Sequence, residues 1–129
     1  MEKTARITGT TKLVGLIGSP VQHSGSPTIH NAVFEKLGLD CAYFAFDVDN
    51  VRLQDTVRGM VSMGFLGYNV TTPCKTFILP FLDEVSEAAE IMGAVNTVVI
   101  QNGRSLGDNA DGAAFMRNLV PVSYTHLRA

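Results

Sequence analysis

Three short stretches of this sequence concentrate the side chains that can hold an anion or move a proton. The first reads Ser19-Pro-Val-Gln-His23-Ser24-Gly25-Ser26-Pro27. Two hydroxyls two residues apart, beside a helix start, make a neutral donor pair for a small anion. The helix N-terminus adds free N–H groups and a partial positive charge. The plainer reading is that Ser26 caps its helix and Ser24 is solvated. The second stretch, Gly67-Tyr-Asn69-Val-Thr71-Thr-Pro73-Cys-Lys75, sets a lysine just beyond a strand, beside Asn69 and Thr71. Burial lowers a lysine's pKa and a nearby carboxylate raises it, so such a lysine is a tunable acid/base. A solvated surface lysine is the alternative. The third holds Asn96-Thr97 and Gly107-Asp-Asn109-Ala-Asp111-Gly112. Asp111 is either a helix cap or a carboxylate partner for Lys75.

Strands must carry these loops. Lys12–Gly18 is a compact apolar run ending in Gly18-Ser-Pro20, which predicts a buried strand entering a loop. Over 26–38, Ile29, Ala32, Val33 and Leu37 recur at helical spacing. Ser26 is the expected N-cap, Pro27 the first helical residue and Gly38 the stop. A β-prone aromatic run follows over 42–48. A helix is expected over 51–63, with Val51, Val57, Met60 and Val61 near one face and Gly64 ending it. A short strand is expected over 65–70, a helix broken by Pro80 over 75–82, and a further helix over 86–92. Asn102-Gly103 joins two runs at 96–100 and 105–107 into a hairpin. A last helix opens near Gly112. Residues 1–11 are polar and aperiodic and read as a short mobile leader.

Strand–helix alternation predicts an α/β fold: an open, twisted, mostly parallel sheet flanked by helices, with a late antiparallel hairpin. Ligands on such sheets bind outside the carboxyl ends of the strands. The loops at 18–26, 48–50 and 70–75 lie there. No G-x-G-x-x-G follows a strand and no G-x-x-x-x-G-K-[ST] is present, so the chain shows neither phosphate-loop signature.

The chain has 129 residues, 46% of them hydrophobic and 17% charged, with 10 basic against 12 acidic side chains. Its length suits one domain. A near-neutral chain with scattered basic residues offers nucleic acid no electrostatic footprint. Apolar runs fall far short of the roughly 20 residues that span a bilayer, so no membrane partner is expected. No charged leader with an apolar core opens the sequence, and Cys41 and Cys74 are too far apart for a CxxC site. Reduced thiols in the cytoplasm are expected. His23, His30 and His126 lack clustered partners, so no metal site is expected.

Taken together, Gly18-Ser-Pro-Val-Gln-His-Ser-Gly-Ser-Pro27, Asn69-Val-Thr-Thr-Pro-Cys-Lys75, Gly93-Ala-Val-Asn-Thr97 and Gly107-Asp-Asn-Ala-Asp-Gly112 resemble the shikimate dehydrogenase family, in its N-terminal substrate-binding domain. The likeness runs from about Lys12 to Leu119. It implies reversible, NADP-linked reduction of 3-dehydroshikimate to shikimate, a step toward aromatic amino acids. By that match Ser24 and Ser26 would bond the substrate carboxylate, while Thr71, Asn96 and Asp111 would hold ring hydroxyls. Lys75 would be the general acid/base, oriented by Asp111. Glu87 matches a position near the cofactor, although a solvated helix glutamate explains it too. Three positions depart from the pattern. Ala110 stands where threonine is usual, Asp108 where an aromatic residue is common, and Cys74 where bulkier groups occur. These leave a quinate/shikimate-type dehydrogenase open. A binding-only module for a shikimate-like acid and an unrelated flavodoxin-like domain are the other readings. Oligomeric state is not encoded in any motif.

The family also carries a Rossmann-type NADP domain, for which no glycine-rich loop is present. The last residues, Pro121-Val-Ser-Tyr-Thr-His-Leu-Arg-Ala129, resemble an in-frame translation of a sequencing adapter. The expectation is therefore a truncated substrate-binding domain over 1–120, an artefactual tail over 121–129, and no turnover by this chain alone.

Overall fold

The computed structural model describes residues 6–111. The predicted helix after Gly112 and the 121–129 tail lie outside that span. The chain opens with β1 (Lys12–Gly18), crosses through α1 (Ser26–Leu37) to β2 (Cys41–Asp47), and returns through α2 (Leu53–Ser62) to β3 (Gly67–Val70). Then come the single turn α3 (Cys74–Phe77), a 3-10 turn at Leu79–Phe81, β4 (Glu84–Val85), α4 (Glu87–Met92), β5 (Thr97–Gln101) and β6 (Arg104–Asp108). The six strands form one sheet in the order β2-β1-β3-β5-β6-β4.

β1 pairs in parallel with both β2 and β3, as crossover helices require. β5 runs antiparallel to β3 and to β6, and β4 joins the edge parallel to β6. The hairpin turn places Asn102 at φ 53° and Gly103 at φ 73°, the positive pair that Asn-Gly supplies cheaply. This is the expected α/β sheet. Two-residue β4 was not foreseen, because so short a strand leaves no periodicity to read.

Side-chain alternation along the strands divides the core between the two faces. Ile17, Tyr68, Val70 and Val98 pack with Leu53, Val57 and Met60 of α2 and with Ala89 of α4. On the other face Leu16, Tyr43 and Val21 pack with Phe34 of α1. Within the described residues, no helix is long and apolar enough to cross a membrane.

Several local expectations are corrected. Ile29, Val33 and Leu37, which recur at helical spacing in α1, are exposed, and Phe34 makes the packing contact. Asn31 explains the helix's rotation: its side chain accepts from the Tyr43 N–H at 2.8 Å and donates to the Tyr43 carbonyl at 2.9 Å. It thereby closes the open edge of β2, and a polar residue takes the inward position. Val51 is 91% exposed and precedes α2. The leader is tied down where it meets the sheet, since the Thr10 and Thr11 hydroxyls donate to Asp40. These bonds hold the Asp40 carboxyl below its ordinary pKa. Both cysteines are free thiols.

Candidate functional site

The carboxyl ends of β1, β2 and β3 point the same way. Because β5 is antiparallel to β3 and β6 antiparallel to β5, the start of β5 and the end of β6 reach the same rim. Backbone hydrogen bonds stitch that rim together. Val48 N–H donates to the Gly18 carbonyl at 2.8 Å, Ser19 N–H to Thr72 at 2.9 Å, and Thr71 N–H to Ile17 at 2.9 Å. Val70 N–H donates to Asn96 at 2.9 Å, Asn96 N–H to Asp108 at 3.0 Å, and Val95 N–H to Lys75 at 2.9 Å. The three predicted loops and Asn96 thus share one end of the sheet.

Gly18 makes the closest approach. A Cβ there would lie 2.3 Å from the Thr71 methyl and 2.8 Å from the Thr72 carbonyl oxygen, so only glycine lets the first and second loops touch. In the first loop, Gly25 is the N-cap of α1 and no side chain caps it, which corrects the expectation for Ser26. Instead the Ser24 hydroxyl accepts the Ser26 N–H at 3.2 Å, and Pro27 follows with no N–H of its own. Both serines are half-buried. Ser24 uses only a lone pair in that bond, so its hydroxyl proton stays available.

Ser26 turns to the strand behind it. Tyr43 is buried, its ring stacked on His30 with centroids 4.3 Å apart and planes at 11°. Burial pushes its phenol up from the ordinary value, and a hydrogen bond from the Ser26 side chain partly offsets that push. The Tyr43 hydroxyl donates to Asn69 Oδ1 at 2.9 Å. Asn69 Nδ2 in turn faces Thr97 Oγ1 at 3.4 Å, and Thr97 donates to Asn96 Oδ1 at 3.1 Å. Ala110 N–H donates to the same Asn96 oxygen at 3.1 Å. The missing threonine hydroxyl at 110 therefore leaves this backbone contact intact.

Lys75 sits half-buried in α3, directly after Cys74, whose thiol is buried and donates to the Val48 carbonyl at 3.3 Å. Burial first, and then the Asp49 carboxylate, raise that thiol's pKa, so it is a packed group rather than a nucleophile. Asp111 is exposed and does not reach Lys75: among the described residues the ion pairs are Arg52–Asp49 and Arg104–Glu84. Asp108 accepts from Ser86, the N-cap of α4, at 2.6 Å, which accounts for a carboxylate where an aromatic residue is usual. Glu87 is exposed in the first turn of α4. The geometry therefore gathers Ser24, Ser26, Thr71, Lys75 and Asn96 on one rim and leaves Asp111 and Glu87 outside the hydrogen-bonded set.

A surface groove of about 690 Å³ lies elsewhere, lined by residues including Asp83, Glu84, Glu90 and Asp108. Its carboxylates repel an anionic ligand, and none of the predicted site residues lines it. Sequence reasoning overlooked Tyr43, read only as a strand aromatic. No local pattern marks it, because its partner Asn69 lies 26 positions away in the sequence.

The family described as shikimate dehydrogenase substrate binding domain matches residues 16–98. Shikimate dehydrogenase (NADP(+)) of Listeria monocytogenes serotype 4b (strain F2365) is 52% identical over 116 residues, covering 90% of this chain and 40% of that protein. The crystal structure of shikimate 5-dehydrogenase from Listeria monocytogenes in complex with shikimate and NAD matches with a TM-score of 0.84 and 50% identity, over 94% of this chain and 42% of that one. The ligand-free 5-ketofructose reductase of Gluconobacter sp. strain CHM43 matches at a TM-score of 0.79 and 33% identity, over 89% and 42%. The chain spans about 40% of the length of the curated relatives it matches. With most of the described sheet inside the matched segment, the chain belongs to the family of shikimate dehydrogenase substrate-binding domains.

Proposed function

We propose that this chain is the substrate-binding domain of a cytoplasmic, NADP-dependent shikimate dehydrogenase that interconverts 3-dehydroshikimate and shikimate. The observation that carries the reading is the backbone stitching that brings the Ser24, Thr71, Lys75 and Asn96 loops to one rim. Hydroxyl donors at Ser24 and Ser26 suit a carboxylate, and Thr71 with the Asn96 amide suits ring hydroxyls. The Lys75 ammonium supplies or accepts the proton at the oxygen that changes oxidation state, and stabilises charge developing there. Asp111 and Glu87 belong to the proposal through the family pattern, the first at a ring hydroxyl and the second near the cofactor.

The loop after β1 does not fit the phosphates of a dinucleotide. The loop after β1 is closed against Thr71, the Ser26 N–H is taken by Ser24, and Pro27 has none to offer. In this reading the cofactor, which supplies the hydride as NADPH, is held mainly by residues other than this loop, and residues 121–129 are read as a translated adapter. Reading the uninterrupted gene tests this: a continuing frame with a glycine-rich βαβ unit supports it, and a stop codon near 120 favours a binding-only module.

The direct test is calorimetric titration of the 129-residue protein with shikimate. Saturable binding that Ser24→Ala weakens is expected. No binding of shikimate by the folded protein overturns the reading. Quinate is the second ligand to titrate, because Ala110 removes a hydroxyl beside Asn96, and tighter binding of quinate would favour the quinate/shikimate type.

A further inference from the structure

We propose that Tyr43 and Thr97 are positioning residues whose hydroxyls fix the orientation of two site amides, Asn69 and Asn96, so that both present NH₂ donors to the ligand. The inference rests on the substrate reading above and adds residues that it does not use.

The orientation of the whole chain of bonds follows from one group that cannot reverse. The Ala110 N–H is a backbone donor, so the Asn96 atom it meets at 3.1 Å must be the oxygen. Thr97 approaches that same oxygen at 3.1 Å and therefore gives it its single proton. With its proton committed, Thr97 Oγ1 can only accept from Asn69, so Asn69 turns Nδ2 toward it and Oδ1 away. Asn69 Oδ1 then accepts from Tyr43 at 2.9 Å, so the phenol gives its single proton there. An asparagine amide is otherwise free to present either end. Here the Asn96 oxygen has both its donors and the Asn69 oxygen is turned toward Tyr43, which leaves two N–H groups on Asn96 and one on Asn69 unused.

Tyr43 is held for this task on three sides. Asn31 grips its backbone N–H and carbonyl, His30 stacks on its ring, and His30 Nδ1 lies 2.9 Å from the Ser26 carbonyl. An amide pair that turns its N–H groups outward suits a polyhydroxy acid or its ketone, whose oxygens accept. It disfavours a ligand that presents N–H groups at the same positions.

Tyr43→Phe and Thr97→Val remove the two hydroxyls and keep the ring and the branched shape. Both are made in the full 129-residue chain. The free-state readout is the ¹⁵N–¹H side-chain resonances of Asn69 and Asn96. The proposal expects Asn69 to shift in Tyr43→Phe and both amides to shift in Thr97→Val, with Tm nearly unchanged. It also expects shikimate Kd to rise about fivefold in each variant, the effect of losing one hydrogen bond's worth of orientation. Unmoved amide resonances overturn the proposal, and so does an unchanged Kd in a wild-type background that binds. Weakened binding that only tracks a large fall in Tm overturns it as well, because that is the signature of a purely structural role. If the wild-type chain binds no shikimate, the substrate reading fails, while the ligand-free amide resonances still decide whether the relay exists.

Discussion

The backbone N–H of Val95 donates to the carbonyl of Lys75 at 2.9 Å, so the lysine's short helix is bound to the segment that delivers Asn96. The proposed acid/base and the segment carrying the amide are tethered through the main chain, although twenty residues of chain lie between Lys75 and Asn96. Because the tether uses the main chain, the side chain of residue 75 can be changed without releasing it.

Lys75→Ala should therefore leave the fold intact and remove the proton-transfer group. In the full-length dehydrogenase proposed above, kcat is expected to fall about 10²–10⁴-fold, the usual contribution of a general acid/base. KM should change far less, since Ser24, Thr71 and Asn96 remain. Steady-state kinetics in both directions measure it, and a kcat within about threefold of the parent would remove Lys75 from proton transfer.

The two serines are not equivalent. Ser24 keeps its proton while accepting the Ser26 N–H, whereas Ser26 has its side chain engaged with Tyr43. A carboxylate must win the Ser26 proton from the phenol but finds the Ser24 proton free. Ser24→Ala is expected to weaken shikimate binding roughly tenfold, in line with a charge-assisted hydrogen bond, and Ser26→Ala by less. Calorimetry on both variants checks the order, and equal or reversed losses would contradict it.

Most of the sheet and the whole rim were legible because they rest on local chemistry. Lys12–Gly18 was recognisable from apolar density and its glycine stop, and the hairpin from Asn102-Gly103. Helix faces were less legible. In α1 the sheet-facing side was decided by a distant event, Asn31 meeting the backbone of Tyr43, which outweighs burial of Val33 and Leu37. The cap expected at Ser26 falls one residue earlier, at Gly25, because Ser26 is already the first residue of α1. Asn96 was visible as a site candidate, yet its supporting Tyr43 was not, because strand residues with long-range partners carry no local pattern. Asp108 looked like a defect in a motif and is instead a partner of the α4 cap.

Gly18 offers a test of how tightly the rim is built. Its missing Cβ position is 2.3 Å from Thr71 and 2.8 Å from the Thr72 oxygen, and the latter is backbone that no rotamer change can move aside. Gly18→Ala should cost about 1–3 kcal/mol and lower Tm by at least about 4 °C. Because the strain falls between the first two loops, shikimate affinity should drop further than stability alone explains. Thermal melting paired with titration reads both, and a variant that melts with the parent would show the loops to be separable.

Tyr68 has the opposite problem. It is 2% exposed on the α2 side of the sheet, and its hydroxyl has no hydrogen-bond partner among the described residues. Burial raises its pKa far above the ordinary tyrosine value of about 10. Below that pH both folded and unfolded chains keep the proton, and Tyr68 adds no slope. Above it the unfolded chain releases the proton while the folded chain retains it, so stability falls as pH rises, by up to about 1.4 kcal/mol per pH unit. Tyr68→Phe keeps the ring and deletes the unsatisfied group. It should raise stability at neutral pH by about 1 kcal/mol and flatten the alkaline decline. Urea unfolding at pH 7 and pH 11 decides the matter: parallel curves for the two proteins at both pH values would mean that the buried hydroxyl is satisfied after all.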